Sequence, residues 1–181
     1  MPEESYWNTL FDIERIVAWL EIPKSARVAE IGAGYGTFTV PIASISQEVV
    51  AFDIDPEMVA IAKRNVAKSG LSNVECIERD VVAEGTGLEP ASVDVAVLFN
   101  VLHFNERRIL LQEACRILKP RGVAAIIHFR TDIPTPRGPA VELRPDLGKI
   151  LCAAEGLPLD FRGNSKVLEP YHWGIQLVKH D

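Results

Sequence analysis

Two rhythms of apolar and polar positions alternate along most of this chain. Short, nearly continuous apolar runs lie near residues 26–31, 48–53, 74–78, 93–99 and 123–129. Between them apolar residues recur every three or four positions, the period of a helix that buries one face. A strand buried on both faces reads as an unbroken apolar run, most clearly at 93–99. The alternation predicts an α/β fold built on a largely parallel sheet.

Punctuation sets the expected boundaries. Trp7, Leu10, Phe11, Val17 and Leu20 predict one amphipathic helix over residues 6–22, capped by Ser5 and stopped by Pro23. A short helix from about Thr37 to Ser44 must hold Pro41 in its first turn, where no amide is lost. Asp55-Pro56-Glu57 supplies an N-cap, a first-turn proline and a first-turn acid for the next helix, which Gly70 ends. Residues 83–91 read as mostly loop. Asn105 should cap a helix that runs to Leu118, with Lys119-Pro120 as its stop. Residues 131–145 hold four prolines and one glycine and read as an ordered loop. A helix from about Pro145 to Glu155 follows, then strands near 157–162 and 171–178 joined at Gly163-Asn164-Ser165 as an antiparallel pair.

Length and charge narrow the picture. With 181 residues, 48% of them apolar, the chain suits one domain with a sizeable core. Its net charge is −6, and the excess sits early: residues 1–129 carry 18 acids against 12 bases, residues 130–181 seven of each. Such a surface is a poor match for a phosphate backbone, so no nucleic-acid partner is expected. Cys76, Cys115 and Cys152 are scattered, and the four histidines lack ligand spacing, so no metal site is expected. The acidic, polar start is no secretory signal, and no apolar run nears the ~20 residues that span a bilayer. The expectation is a soluble, cytoplasmic protein without membrane contact.

The chemistry concentrates in Val28-Ala29-Glu30-Ile31-Gly32-Ala33-Gly34-Tyr35-Gly36-Thr37. A strand, an acid and three alternate glycines run directly into a helix start. Glycine permits the positive φ and the close backbone approach that a ligand loop needs, and helix amides favour polar or anionic groups there. The second apolar run ends at Asp53, about 20 residues beyond the first glycine, the distance expected of an acid that meets ribose hydroxyls. A ligand-free turn and an ordinary strand-end acid are the plainer readings of the same residues.

Glycine spacing separates the cofactor classes. The dinucleotide fingerprint is G-x-G-x-x-G. Here Gly32, Gly34 and Gly36 form G-x-G-x-G with Glu30 just before. This resembles the first motif of class I S-adenosylmethionine-dependent methyltransferases, and further segments resemble that family in order: Ala51 to Val59 with Asp53 and Pro56-Glu57-Met58, Glu78-Arg79-Asp80-Val81, Phe99 to Phe104, and Leu118 to Val123. The resemblance covers about residues 26–130. It implies a Rossmann-like doubly wound sheet of seven strands in the order 3-2-1-4-5-7-6, the last antiparallel, with helices on both faces. It also implies S-adenosyl-L-methionine as cofactor and S-adenosyl-L-homocysteine as product. The single domain 1–181 then divides into a lid helix (1–23), a cofactor-binding core (26–130) and a substrate loop, helix and terminal hairpin (131–181).

The resemblance also assigns roles. Glu30 orients the cofactor's amino group, and Gly32, Ala33, Gly34 and Gly36 let backbone approach its methionine part. Asp53 takes both ribose hydroxyls, Asp80 the adenine amino group and the Val81 amide the ring, with Ile54 and Met58 at the adenine face. Asn100 and His103 follow strand four, where methyl donor and acceptor meet. They are the catalytic candidates, and Asn100 is also a cofactor contact. His103 is the base candidate if the acceptor must lose a proton. Tyr6, Trp7, His103, Arg130 and Arg137 are the substrate candidates. The arginines suit an anionic acceptor, and equally suit pairing with surface acids. No large insertion builds a substrate domain, so the acceptor is expected to be a small molecule. A non-catalytic cofactor- or partner-binding relative stays open as an alternative. A nicotinamide-dependent oxidoreductase is disfavoured by the glycine spacing and by the terminal hairpin.

Overall fold

The apolar runs become strands β1 (Arg27–Ile31), β2 (Glu48–Asp53), β3 (Val74–Glu78), β4 (Val93–Phe99) and β5 (Leu118–Phe129) in the computed structural model, which describes residues 2–163 and 165–181. All five are parallel, in the order β3-β2-β1-β4-β5. Only Asp94 of β4 escapes full burial, because β1 and β5 flank that strand and helices cover both faces. β5 starts five residues before the expected Val123. An irregularity at Val93–Val95 lets Leu118 pair with Val93 and carries Lys119-Pro120 into the strand.

Three further strands, β6 (Leu159–Phe161), β7 (Lys166–Leu168) and β8 (His172–Lys179), complete the sheet. β8 runs antiparallel to β5, and β6 and β7 both pair antiparallel with β8. The path β3-β2-β1-β4-β5-β8-β6 is the expected 3-2-1-4-5-7-6 topology with one strand more. Three-residue β7 is too short to show a period of two, and its Val167 faces solvent, so no pattern marks it. Of the expected turn, Asn164 lies outside the described residues.

Side chains alternate between two cores. Val28, Val49, Ala51, Val97 and Ile127 face the layer of α2 (Ile13–Leu20), α3 (Thr39–Ala43) and α4 (Pro56–Lys68). Ala29, Ile31, Val50, Phe52, Leu98 and Ile126 face α6 (Arg107–Ile117) and α7 (Leu147–Ala154). Asp55 caps α4 by accepting from the Glu57 amide at 2.9 Å, with Pro56 in the first turn, as the spacing predicts. The helix predicted from Asn105 begins instead at Arg107, behind a turn held by Arg107 Nε donating to Leu102 O at 3.0 Å.

The helix predicted over residues 6–22 is two helices, α1 (Glu4–Asn8) and α2. Thr9 Oγ1 donates back to Tyr6 O and closes α1, and Asp12 accepts from the Arg15 amide and opens α2. Phe11, at helical spacing in the sequence, lies between them. Its backbone bridges Pro170 and its ring stacks on His172 at 4.4 Å. Burying such a ring contributes about 1.5–3 kcal/mol, more than one turn of helix offers, so the tertiary contact breaks the helix. Among the described residues no helix is long and apolar enough to cross a membrane.

Candidate functional site

The carboxyl ends of β1, β2, β3 and β4 open onto a cavity of about 470 Å³. The loop after β1 forms its floor. Gly32 turns there at φ +83°, and its amide and that of Ala33 both donate to Phe52 O. A Cβ at Gly32 would stand 2.2 Å from Val101 Cγ1, so only glycine lets the loop lie this close to the end of β4. Gly36 has a different task. A Cβ there would press on Ala62 of α4 at 3.3 Å, so this glycine admits the helix and does not line the cavity.

Two carboxylates frame the side of the cavity over β2 and β3. Asp53 Oδ2 accepts from the Gly34 amide at 2.7 Å and Oδ1 from the Asp55 amide at 3.0 Å. This ties the glycine loop to the tip of β2 and fixes the carboxylate's plane. Asp80 Oδ1 accepts from the Val82 and Ala83 amides at 3.0 Å, which caps the short helix α5 (Val81–Glu84). Asp80 Oδ2 has no such partner among the described residues. Arg79 beside it spends its Nε on Gly85 O at 2.7 Å.

Glu30 sits at the centre, 2% exposed. Its Oε2 accepts from Thr39 Oγ1 at 2.5 Å, and it has no ion-pair partner among the described residues. Burial pushes its carboxyl up to about 7, against the pull of the Thr39 hydrogen bond and with help from the charge of Asp53.

The side over β4, β5 and β8 is aromatic. Trp7, Phe38 and Phe99 line it, and Phe11, Phe129 and His172 pack behind them. Asn100 holds a left-handed backbone at φ +57°, rare outside glycine, and its Nδ2 lies 3.4 Å from His172 Nε2. His128 and His172 are fully buried, and each is pushed down to about 3. Burial is the main cause for both. For His128 the nearby His103, His172 and Arg144 add to it, and for His172 Arg144 does. Both imidazoles are therefore neutral. Both ring nitrogens of His128 lack a partner among the described residues. The same holds for groups of three metal-ligating side chains placed to hold an ion: none is present there.

Of the residues the sequence singles out, Glu30, Gly32, Ala33, Gly34 and Asp53 line the cavity. So do Ile54, Asp80, Val81, Asn100 and Trp7. Gly36, Met58, Tyr6, His103, Arg130 and Arg137 do not. Met58 is buried on α4. His103 packs its ring on Phe104 at 3.9 Å outside the cavity wall, and burial lowers it. Arg130 is spent on Asp132, at 2.8 and 2.9 Å, and on Glu169 at 3.6 Å. Arg137 is exposed on the 131–145 loop. Arg144 is buried, donating to Pro139 O, Arg130 O and Thr135 Oγ1, and it clamps that loop onto β5. The anionic acceptor that the arginines suggested thus has none of them at the cavity. Sequence reasoning missed Phe38, Phe99 and the Asn100–His172 pair. The first two sit where the glycine loop and β4 end, a signal that was readable. The pair joins positions 72 residues apart and leaves no local trace.

The N-terminal segment covers this side. Thr37 Oγ1 donates to Asn8 Oδ1 at 2.8 Å, Asn65 Nδ2 to Glu4 Oε1 at 2.7 Å, and Tyr35 OH to Pro2 O. These contacts hold α1 against the glycine loop and α4 while Trp7 enters the wall.

A family model described as a methyltransferase domain matches residues 28–122. The 23S rRNA (uracil(1939)-C(5))-methyltransferase RlmD of Shewanella sediminis is 36% identical over 72 residues, 40% of this chain and 16% of that protein. Methyltransferase AacuQ of Aspergillus aculeatus is 33% identical over 102 residues, 56% of this chain and 32% of that protein. The chain therefore spans a third or less of the length of these two relatives. Among solved structures, a SAM-dependent methyltransferase from Aquifex aeolicus has a TM-score of 0.84 at 24% identity, covering 98% of this chain and 94% of that one, a likeness of fold.

Proposed function

Because this chain belongs to the methyltransferase-domain family, we propose that it transfers a methyl group from S-adenosylmethionine to a small-molecule acceptor. The carrying observation is the cavity itself. Its wall runs without interruption from Asp80 and Asp53, past the glycine loop and Glu30, to Asn100, Phe99 and Trp7. The residues fit the cofactor. Gly32 lays bare backbone on the cavity floor, close against Val101, and Asp80 Oδ2 takes no hydrogen bond from the described residues. Glu30 is a buried carboxylate that needs a proton or a cationic partner.

When bound, the cofactor supplies a methyl carbon on a sulfonium, which an acceptor attacks in line. The chain's part is to align and to dry the site, which supplies much of the rate of such a displacement. Asp53 and Asp80 would fix the nucleoside, Glu30 the amino group, and Trp7 with α1 would exclude water. Several features favour a small acceptor over RNA. The chain is net acidic, Asp53, Asp80 and Glu106 line the cavity, and α1 covers one side of it. RlmD by its name acts on rRNA, so the test must include RNA. Radiolabelled methyl from S-adenosylmethionine is followed into the low-molecular-weight filtrate and the total RNA of a cell extract. Label in the filtrate is expected. Label confined to RNA would contradict a small acceptor.

A further inference from the structure

The cavity's two ends differ in a way that points to the acceptor's chemistry, an inference that rests on the cofactor reading above. The sheet order places Asp80, Asp53 and the glycine loop over β3, β2 and β1. The space left for an acceptor lies past the end of β4, where Phe129 of β5 and His172 of β8 back the wall. Its wall is Trp7, Phe38 and Phe99. Ring centroids run 5.0 Å from Trp7 to Phe11, 5.1 Å from Phe11 to Phe38 and 4.9 Å from Phe38 to Phe99, each pair edge to face. Behind this wall His172 lies against Phe11 at 4.4 Å and Phe129 at 4.2 Å, so the rings are backed and cannot fold away.

The polar groups at this end are neutral. Asn100 lines the cavity, with its amide nitrogen toward His172 and its Oδ1 buried and without a partner among the described residues. Thr37 is spent on Asn8. Among the described residues, Arg79 is the sole cationic side chain in the cavity wall, and it sits beside Asp80 at the other end, near Glu84 at 3.7 Å. An anion entering here would lose its hydration against aromatic rings, with the carboxylate of Glu30 close by and no counter-charge. A cation, in the loaded enzyme, would meet the cofactor's own positive charge, with Glu30 already given to the cofactor's amino group. A flat, uncharged ring matches the wall.

We infer that the methyl acceptor is a small uncharged aromatic molecule, stacked within Trp7, Phe38 and Phe99 with its polar substituent beside Asn100. Trp7 is then a specificity-determining residue, set in place by α1.

Calorimetry on the intact chain tests this in two stages. S-Adenosylhomocysteine is titrated first. The saturated protein is then titrated at neutral pH with 4-methylphenol, benzoate and benzylamine, rings of similar size that differ in charge. The expected result is that 4-methylphenol binds at least about tenfold more tightly than either charged probe, and that Trp7→Leu weakens it about tenfold while changing S-adenosylhomocysteine affinity less than about threefold. Equal or tighter binding of benzoate or benzylamine would overturn the uncharged class. No 4-methylphenol binding at millimolar concentration, or an unchanged affinity in Trp7→Leu, would overturn the aromatic site. Failure of S-adenosylhomocysteine to bind would remove the cofactor reading and this inference together, and the first titration shows it separately. Phe38→Leu serves as a second variant, with the same expectation, should Trp7→Leu not fold.

Discussion

The two ends of the cavity are built by different means. The end over β1, β2 and β3 is a chain of backbone hydrogen bonds at strand tips: the Gly34 amide on Asp53, the Asp55 amide on the same carboxylate, the Arg79 amide on Asp53 O and the Val82 and Ala83 amides on Asp80. Each polar side chain sits at a strand tip and is fixed by backbone a few residues from a strand end. The end over β4, β5 and β8 has few such ties. It is a packed set of rings drawn from both ends of the chain, with Trp7 and Phe11 meeting Phe129 and His172. The first end can hold the invariant part of a cofactor by hydrogen bonds, and the second can be recast for a new acceptor by changing side chains alone. Function resides in such grafted sites more than in the fold.

Phe11→Ala probes the packed end most severely. Truncating this ring should cost about 3–5 kcal/mol of stability, because neither Pro170 nor His172 can fill the space. Denaturant unfolding measures it. If the two ends are built independently, S-adenosylhomocysteine affinity of the folded fraction changes little. A large loss of affinity would show that they are one unit.

Gly32→Ala attacks the hydrogen-bonded end. The added Cβ meets Val101 Cγ1 and the backbone holds a positive φ, so a loss of about 1–3 kcal/mol in stability is expected, with weaker cofactor binding. Adding Val101→Ala removes the clash but not the φ penalty. The double variant should recover part of the loss in thermal unfolding, and no recovery would deny the contact.

This contrast explains what could be read from sequence. The place of Glu30, Gly32, Asp53 and Asp80 on the cavity wall was legible because each lies within a local strand-turn segment whose residue types carry their reason. The parallel core was legible because continuous apolar runs have only buried strands to form. The break at Phe11 was not, since its apolar position fits the helical period and its true partners, Pro170 and His172, lie about 160 residues on. The Asn100–His172 pair failed for the same reason. The arginines misled for another one: Arg130 finds Asp132 two residues away, and a local ion pair and a ligand site look alike in one dimension.

Titration separates the ends further. Glu30 is raised from 4.5 to about 7, so the folded protein holds a proton that the unfolded chain does not between those values. Its contribution to stability is complete below pH 4.5 and is lost as pH rises through about 7. A cationic amino group brought beside it should expel that proton. Calorimetry of S-adenosylhomocysteine binding near pH 6.5, in buffers of different ionisation enthalpy, should show proton release in the wild type and none in Glu30→Gln. Equal release in both would exclude Glu30 as the source. His128 and His172 work in the opposite sense. Their values fall from 6.5 to about 3, so their contribution is present above pH 6.5 and is lost as pH falls toward 3. His172→Gln should make acid unfolding begin at lower pH.

Arg130→Ala is the mildest test. This side chain pairs with exposed Asp132 and Glu169 outside the cavity wall, and such solvent-screened pairs contribute little to stability. Thermal unfolding should shift slightly and cofactor affinity should hold.

The central claim is that Asp53 and the glycine loop hold the nucleoside of an S-adenosyl ligand. Calorimetric titration of the wild type and of Asp53→Ala with S-adenosylhomocysteine, with NADH as comparison, tests it most directly. Micromolar binding to the wild type is expected, with a loss of about 1.5–3 kcal/mol in Asp53→Ala and no NADH binding. Undiminished affinity in Asp53→Ala, or NADH binding as tight as S-adenosylhomocysteine, would contradict it.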